Sequence, residues 1–329
     1  MKKIKILGIF IAMLFVTSAI PSFGMIVEHK SIKDKSGMDS VTSVLPHETI
    51  TIRHHLMKRN YLLYVPTSYT EAHSVPLVVM FHGGGNTPEN ASGRFGISEK
   101  AEEEGFIVVY PNASEIMGNQ WHFGLGWFTK NLIDEFGRLW FDETGYTKKI
   151  IEKTQDDYTI DPDRIYLAGH SSGAMMAYYC GSFLSDLIAA IASNAGCIGG
   201  HHKDFEMVTI PDPNNPVSIA IFHGKKDTVV PYLGGRSMWD DMYYTSVADA
   251  VDFWVDNNGC NPEPETEVSE NGNVTIDSYN GGKSNAEIIV YTLKNKGHIW
   301  FGGPSWEDPN PDVSTTDEMW EFFLGHPKQ

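Results

Sequence analysis

The segment Arg164-Ile-Tyr-Leu-Ala-Gly169-His170-Ser171-Ser172-Gly173-Ala-Met-Met-Ala-Tyr178 constrains this chain more than any other. An apolar strand pattern runs into a Gly-x-Ser-x-Gly turn and passes directly into a helical pattern. The five-residue pattern alone recurs by chance; the flanking strand and helix give it meaning, and they disfavour a plain Gly/Ser turn that merely caps a helix. Glycines at 169 and 173 permit a sharp turn that a side chain would obstruct, which lifts Ser171 above the sheet at the positive end of the following helix.

Other apolar runs bounded by turn signals recur at Tyr61 to Val65, Leu77 to Phe81, Phe106 to Tyr110, Val217 to Phe222 and Glu287 to Leu293. Helical patterns lie between several of them, at Gly145 to Thr154, Ala174 to Leu184, Val247 to Asn257 and Thr316 to Phe323. Such alternation predicts an α/β fold with a mostly parallel central sheet and helices on both faces. The spacing of elements marks no internal repeat and no second domain, so residues 47–329 read as one catalytic domain.

A serine hydroxyl is a weak nucleophile at neutral pH and needs a general base, which needs an orienting carboxylate. Two later strands end in suitable groups. The run Val217 to Phe222 leads to His223-Gly224-Lys225-Lys226-Asp227, and Glu287 to Leu293 leads to Gly297-His298-Ile299-Trp300. Ser171, Asp227 and His298 thus all fall just past strand ends, which neither a turn cap nor a stray loop histidine explains. For a developing oxyanion, the loop His82-Gly83-Gly84-Gly85 after Leu77 to Phe81 lets backbone N–H groups approach closely. The amides of Gly84 and Ser172 are the expected pair. This loop has neither the Lys-Ser/Thr of a P-loop nor the spacing of a dinucleotide fingerprint.

Composition narrows the partners. With 25 Lys and Arg against 42 Asp and Glu, the formal charge of −17 repels nucleic acid and anionic membrane surfaces. Lys2, Lys3 and Lys5 precede an apolar run from Ile6 to Ile20, then Ser22 and Gly24; residues 1–24 read as an export signal, with a mature start near Met25 and an extracytoplasmic destination. An uncleaved anchor is the competing reading, weakened by Pro21 and Gly24. Residues 25–46 are polar and aperiodic, a linker. Beyond the export signal no membrane association is expected, and the oligomeric state is left open.

The motifs Leu-Val-Val-Met-Phe-His82-Gly83, Gly105-Phe-Ile-Val-Val-Tyr110-Pro111, the serine turn through Ala177, His223-Gly-x-x-Asp227-x-x-Val-Pro-Tyr232 and Gly297-His298-x-Trp300 occur here together. With Trp320-Glu-Phe-Phe323 as the closing helix, the chain resembles the exported feruloyl esterases and polyhydroxybutyrate depolymerase-like esterases of the α/β-hydrolase fold, over roughly Tyr61 to His326. The resemblance implies a secreted serine carboxylic-ester hydrolase without cofactor, with Ser171, Asp227 and His298 as triad. It departs from the family pattern at Asp142-Glu143-Thr144-Gly145-Tyr146, at Trp300-Phe301-Gly302, and in lacking cysteines at Gly84 and Gln120-Trp121-His122. The family's disulfide framework is therefore absent: Cys180 and Cys197 pair, or all three cysteines, Cys260 included, are buried thiols.

Within that resemblance, feruloyl or related acyl esters of plant polysaccharide are preferred over polyhydroxyalkanoate, because no separate polymer-binding domain follows. A polyesterase, a non-catalytic binding protein of the same fold and a peptidase on that fold are the other readings. The stretch Asn112 to Thr144 crowds Trp121, Trp127, Trp140 and Phe141 without helical amphipathicity. Trp121 and Trp127, with Trp300 beside the histidine, are the expected substrate-binding rings, against the reading that they only fill core. No metal is expected: His54-His55 and His201-His202 are adjacent pairs whose side chains point apart on a strand, and no His-Glu-x-x-His helix exists.

Overall fold

The computed structural model describes residues 45–55, 57–114, 119–121, 142–203, 206–304 and 312–329. Residues 1–24 and nearly all of 25–46 lie outside the described residues, as does Trp127. Leu45–Gln329 forms one compact unit.

Its elements begin with β1 (Glu48–His54), β2 (Met57–Tyr64), β3 (Val75–Phe81), α1 (Pro88–Arg94), α2 (Ile97–Glu104) and β4 (Ile107–Pro111). Then come α3 (Glu143–Asp157), β5 (Ile160–His170), α4 (Ser172–Phe183), β6 (Ala190–Asn194), β7 (Gly199–His202), β8 (Val208–Thr209) and β9 (Ser218–Gly224). The last are β10 (Gly235–Arg236), β11 (Met242–Tyr244), α5 (Val247–Asn258), β12 (Glu265–Val268), β13 (Val274–Tyr279), β14 (Ile288–Leu293) and α6 (Thr315–Gly325).

A 10-stranded sheet has the order β1-β2-β4-β3-β5-β6-β9-β14-β13-β12. The stretch from β4 to β14 is parallel, and antiparallel pairs flank it on both sides. Strands β7, β8, β10 and β11 make a separate 4-stranded sheet. The expected strands and helices are all present, and the parallel centre follows from their near-continuous apolar runs, which only a sheet covered on both faces accommodates.

Side-chain alternation sorts the core into two layers. Leu77, Val79 and Phe81 of β3 face one way with Leu167 and Ile219, against Tyr146 and Ile150 of α3, Met176 and Tyr178 of α4 and Trp254 of α5. Val78 and Met80 face the other way with Ala168 and Phe222, against Ala101 of α2 and Met319, Trp320 and Phe323 of α6. The closing helix is anchored by stacking: Trp320 lies 4.1 Å from Phe106 and Phe323 4.4 Å from Tyr166, ring centre to ring centre. Among the described residues no helix is long and apolar enough to cross a membrane.

Two buried histidines stand at the carboxyl ends of β3 and β5. His82 Nε2 accepts the Ala113 N–H at 3.1 Å, so Nδ1 carries the proton and donates to the Gly83 carbonyl at 2.8 Å. His170 Nδ1 donates to Asn194 Oδ1 at 2.8 Å. Burial pushes His82 down to about 4; burial and then the neighbouring His298 push His170 down to about 3. Both rings are neutral in the fold.

Such histidines make the fold acid-labile. An unfolded imidazole takes up a proton near roughly 6.5, whereas these folded rings do not until far lower. The stabilisation is therefore complete above that pH and is lost as pH falls through the window toward about 4, at a limiting slope of about 1.4 kcal/mol per pH unit for each ring. Urea unfolding midpoints should fall steadily below about pH 6.5, and His82→Gln should flatten the decline. A wild-type midpoint that stays constant over this window would contradict the burial argument.

Candidate active site

The sheet order reverses around β3: β4 follows it on one side and β5 on the other. In an open parallel sheet such a reversal leaves a crevice at the carboxyl strand ends. Here β5 ends and α4 begins with nothing between them but Ser171, whose backbone is held at φ 57°, ψ −125°. Only a turn over-determined by its neighbours keeps a non-glycine residue there. A Cβ on Gly169 would lie 2.2 Å from the Gly173 carbonyl oxygen, and one on Gly173 would lie 2.3 Å from the Phe81 carbonyl oxygen. Both glycines are required by close backbone approach, as the turn motif anticipated. The Ser171 N–H donates to the Asn194 carbonyl at 2.9 Å, tying the turn to the end of β6.

The three expected side chains meet at this point. His298 Nδ1–H donates to Asp227 Oδ2 at 2.7 Å, which leaves Nε2 as acceptor for the Ser171 hydroxyl at 2.8 Å. Asp227 is buried, and its other oxygen accepts the N–H groups of Val229 at 2.8 Å and Val230 at 2.9 Å. His223, whose Nε2–H donates to the Val230 carbonyl at 2.8 Å, also approaches Asp227 Oδ2 at 3.4 Å. Burial alone would raise the Asp227 carboxyl, but hydrogen bonds from His223 and His298 and their charges outweigh it and hold it well below the usual range. The group is a carboxylate with its orientation fixed on both oxygens.

The expected amide donors lie beside the serine. Gly83 and Gly84 line the same cleft as Ser171, and a Cβ on Gly84 would lie 3.2 Å from Ser172 Oγ. Ser172 opens α4, where a backbone N–H has no acceptor one turn back. His82 lines the same cleft and holds this loop through the Gly83 carbonyl.

The cleft has a volume of about 430 Å³. Asn86, Asn90, Arg94 and Phe95 contribute to its lining from the region of α1, and Thr228, Val229 and Trp239 from the segment after β9. The aromatic expectations need correcting. Trp121 is only 5% exposed; its indole N–H donates to the His82 carbonyl at 2.7 Å and its ring meets Phe81 edge-on at 5.3 Å. Trp300 is fully buried, donates to Thr316 Oγ1 at 2.9 Å and packs 4.6 Å from Phe95. Each indole N–H found its partner inside the protein, so both rings brace the site from behind rather than line the cleft. Trp127 lies outside the described residues.

Among the described residues an exposed indole does line it: Trp239 is 78% exposed, and Leu233 and Met238 of the same segment are exposed as well. Its loop is fixed by Met238 N–H to the Thr228 carbonyl at 2.9 Å and Trp239 N–H to Ser237 Oγ at 3.1 Å. Sequence reasoning missed Trp239 because it follows Arg236-Ser-Met without periodicity. It missed Asn194 too, whose side chain accepts from His170 and donates to Thr315 Oγ1 at 3.1 Å; a polar residue closing the apolar run Ala190-Ile-Ala-Ser was the available signal.

All three cysteines are free and buried. Their thiols face Thr147 Oγ1, the Gly199 carbonyl and the Ala286 carbonyl. Burial pushes Cys197 up to about 12 and Cys260 up to about 11, so none is a ready nucleophile.

Comparison with known proteins agrees with this architecture. The chain is 26% identical to feruloyl esterase B of Piromyces equi over 247 residues, 73% of this chain and 42% of that protein. It is 24% identical to a bifunctional acetylxylan esterase/xylanase of Neocallimastix patriciarum over 269 residues, 80% of this chain and 33% of that one. It thus spans less than half the length of either. An acetyl xylan esterase structure from Aspergillus awamori superposes with a TM-score of 0.58 at 17% identity, covering 85% of this chain and 99% of the other, which shows the shared fold. The phospholipase/carboxylesterase family profile matches residues 67–254, from the turn after β2 to the middle of α5, and the chain belongs to that family of α/β-hydrolases.

Proposed function

We propose that this protein is a serine carboxylic-ester hydrolase acting on acyl esters of plant polysaccharide, with feruloyl-type acyl groups as the preferred substrates. The observation that carries the reading is the unbroken line from Ser171 Oγ to His298 Nε2, at 2.8 Å, and from His298 Nδ1 to Asp227 Oδ2, at 2.7 Å. In it, Ser171 Oγ attacks the ester carbonyl while Nε2 takes its proton, and the Gly84 and Ser172 amides receive the oxyanion. Collapse of that intermediate expels the alcohol, protonated by His298, and leaves an acyl-enzyme that water hydrolyses with His298 again as base. Asp227 stays ionised throughout and stabilises the imidazolium; it need not accept the proton.

The relatives, a feruloyl esterase and an acetylxylan esterase, support ester substrates, and they differ in acyl group. Trp239 favours the aromatic one: an exposed indole, on a loop held by backbone hydrogen bonds in a cleft with the serine, is placed to stack on a feruloyl ring, whereas an acetyl group is too short to use it. Residues 1–24 fit an export signal, with the enzyme released outside the cytoplasm.

Ser171→Ala should lower ester turnover by several orders of magnitude, since removing a triad nucleophile costs on the order of 10⁶. Asp227→Asn should also lose a large factor by stabilising the wrong imidazole tautomer; near-normal turnover in either variant would sink the assignment. Trp239→Ala should raise KM for methyl ferulate several-fold relative to an acetyl ester, roughly 0.5 to 1.5 kcal/mol of lost stacking, with Tm unchanged. Equal effects on both esters would remove Trp239 from acyl recognition. N-terminal sequencing of protein recovered from the medium should begin near Met25, and a start at Met1 would exclude cleavage.

A further inference from the structure

Two histidines dismissed at the level of sequence converge in the fold. His54 ends β1, and His55 leaves the strand with φ 48°, a left-handed value rare for a side chain of this size. That twist defeats the strand rule by which neighbours point apart. The two ring centres lie 4.2 Å from each other, and both rings turn toward Asp142, 88 and 87 residues onward, at the start of α3.

We propose that His54, His55 and Asp142 form a binding site for one zinc-class divalent cation. Both Nε2 atoms stand 3.2 Å from the same carboxylate oxygen, Asp142 Oδ2. The three donor atoms all lie within 4.8 Å of one another. A tetrahedral ion with bonds of about 2.0 Å holds its donors about 3.3 Å apart, so the two Nε2–Oδ2 edges are already near the required length. Two imidazole nitrogens and one carboxylate oxygen suit zinc rather than magnesium or calcium, which prefer all-oxygen sites. Water supplies the fourth position, since the His55 and Asp142 side chains are 39% and 31% exposed.

The carboxylate is also oriented for the task. Asp142 Oδ1 accepts the Gly145 N–H at 2.9 Å and the Thr144 hydroxyl at 3.1 Å, which leaves Oδ2 to the histidines. A Cβ on Gly145 would sit 2.0 Å from Asp142 Oδ2, so any side chain there would displace the carboxylate. Hydrogen bonds of this kind to the outer oxygen are what metal-ligating carboxylates use to keep their aim. The bound ion would clamp the β1 turn to the first turn of α3, joining segments far apart in the chain and stabilising the fold; it shares no residue with the serine site.

The test uses full-length protein stripped with chelator and desalted. Titration calorimetry with zinc chloride should show one site per chain, and cobalt(II) should give the intense visible absorption of a four-coordinate ion. Asp142→Asn retains the helix cap, and His55→Asn tolerates the positive φ, so both variants should fold. Each should weaken zinc binding by more than the roughly 10–100-fold that losing an outer-shell partner costs. Saturating zinc should raise the wild-type Tm by on the order of 5 °C and leave the variants unmoved. Absence of zinc uptake by the folded wild type, or uptake undiminished in both variants, would overturn the site and show only an Asp–His hydrogen-bond cluster. Turnover of a small acetyl ester at 25 °C should be the same with and without zinc, so the serine reading stands or falls separately.

Discussion

Backbone meets backbone where α4 starts, and the rest of the site depends on that contact. Because Gly173 lies against the carbonyls of Phe81 and His82, the first turn of α4 sits directly on the end of β3. Ser171 is then compressed into a conformation that points its hydroxyl outward, and the Gly83-Gly84 loop arrives beside the newly exposed helix amides. The serine hydroxyl and the neighbouring amides are therefore a single geometric solution rather than two independent placements.

A second dependency runs through the strand ends. β9 and β14 are neighbours in register, with Thr292 opposite His223 and Leu293 opposite Gly224, so the loops carrying Asp227 and His298 leave the sheet side by side. Gly224 closes the gap: a Cβ there would lie 2.2 Å from the Lys296 carbonyl oxygen. Parallel pairing thus does for the carboxylate and imidazole what the glycine turn does for the serine.

The apolar runs and the serine motif were legible in the sequence because each is local. Their periodicity sorts sheet faces, and the proposed ester chemistry needs fixed residue types at strand ends. Less local features escaped. β6 is rich in alanine and carries no β-branched signal beyond Ile191; β12 is an exposed edge strand and β13, beside it, is largely half-buried, and the polarity of both hides them. Trp121 and Trp300 misled because an aromatic ring reads the same whether it faces a cleft or a core, and the difference lay in a hydrogen-bond acceptor far along the chain. The histidine pair at 54 and 55 misled for the opposite reason: a rule for extended backbone was applied where the backbone turns.

The three sequestered thiols bear on how the molecule reaches this state. Each is satisfied by a nearby oxygen and none is cross-linked, so folding awaits no oxidant and no isomerase. What limits it is topology. β3 pairs with β5 across a separation that includes α1, α2, β4, the whole aromatic stretch and α3, and β9 must then find β14 beyond α5 and the antiparallel pairs β10-β11 and β12-β13. Chains dominated by such distant parallel pairings pay loop-closure entropy before any contact repays it, and so fold slowly. The redox state of the surroundings should matter little to this protein; the time it is given should matter a great deal.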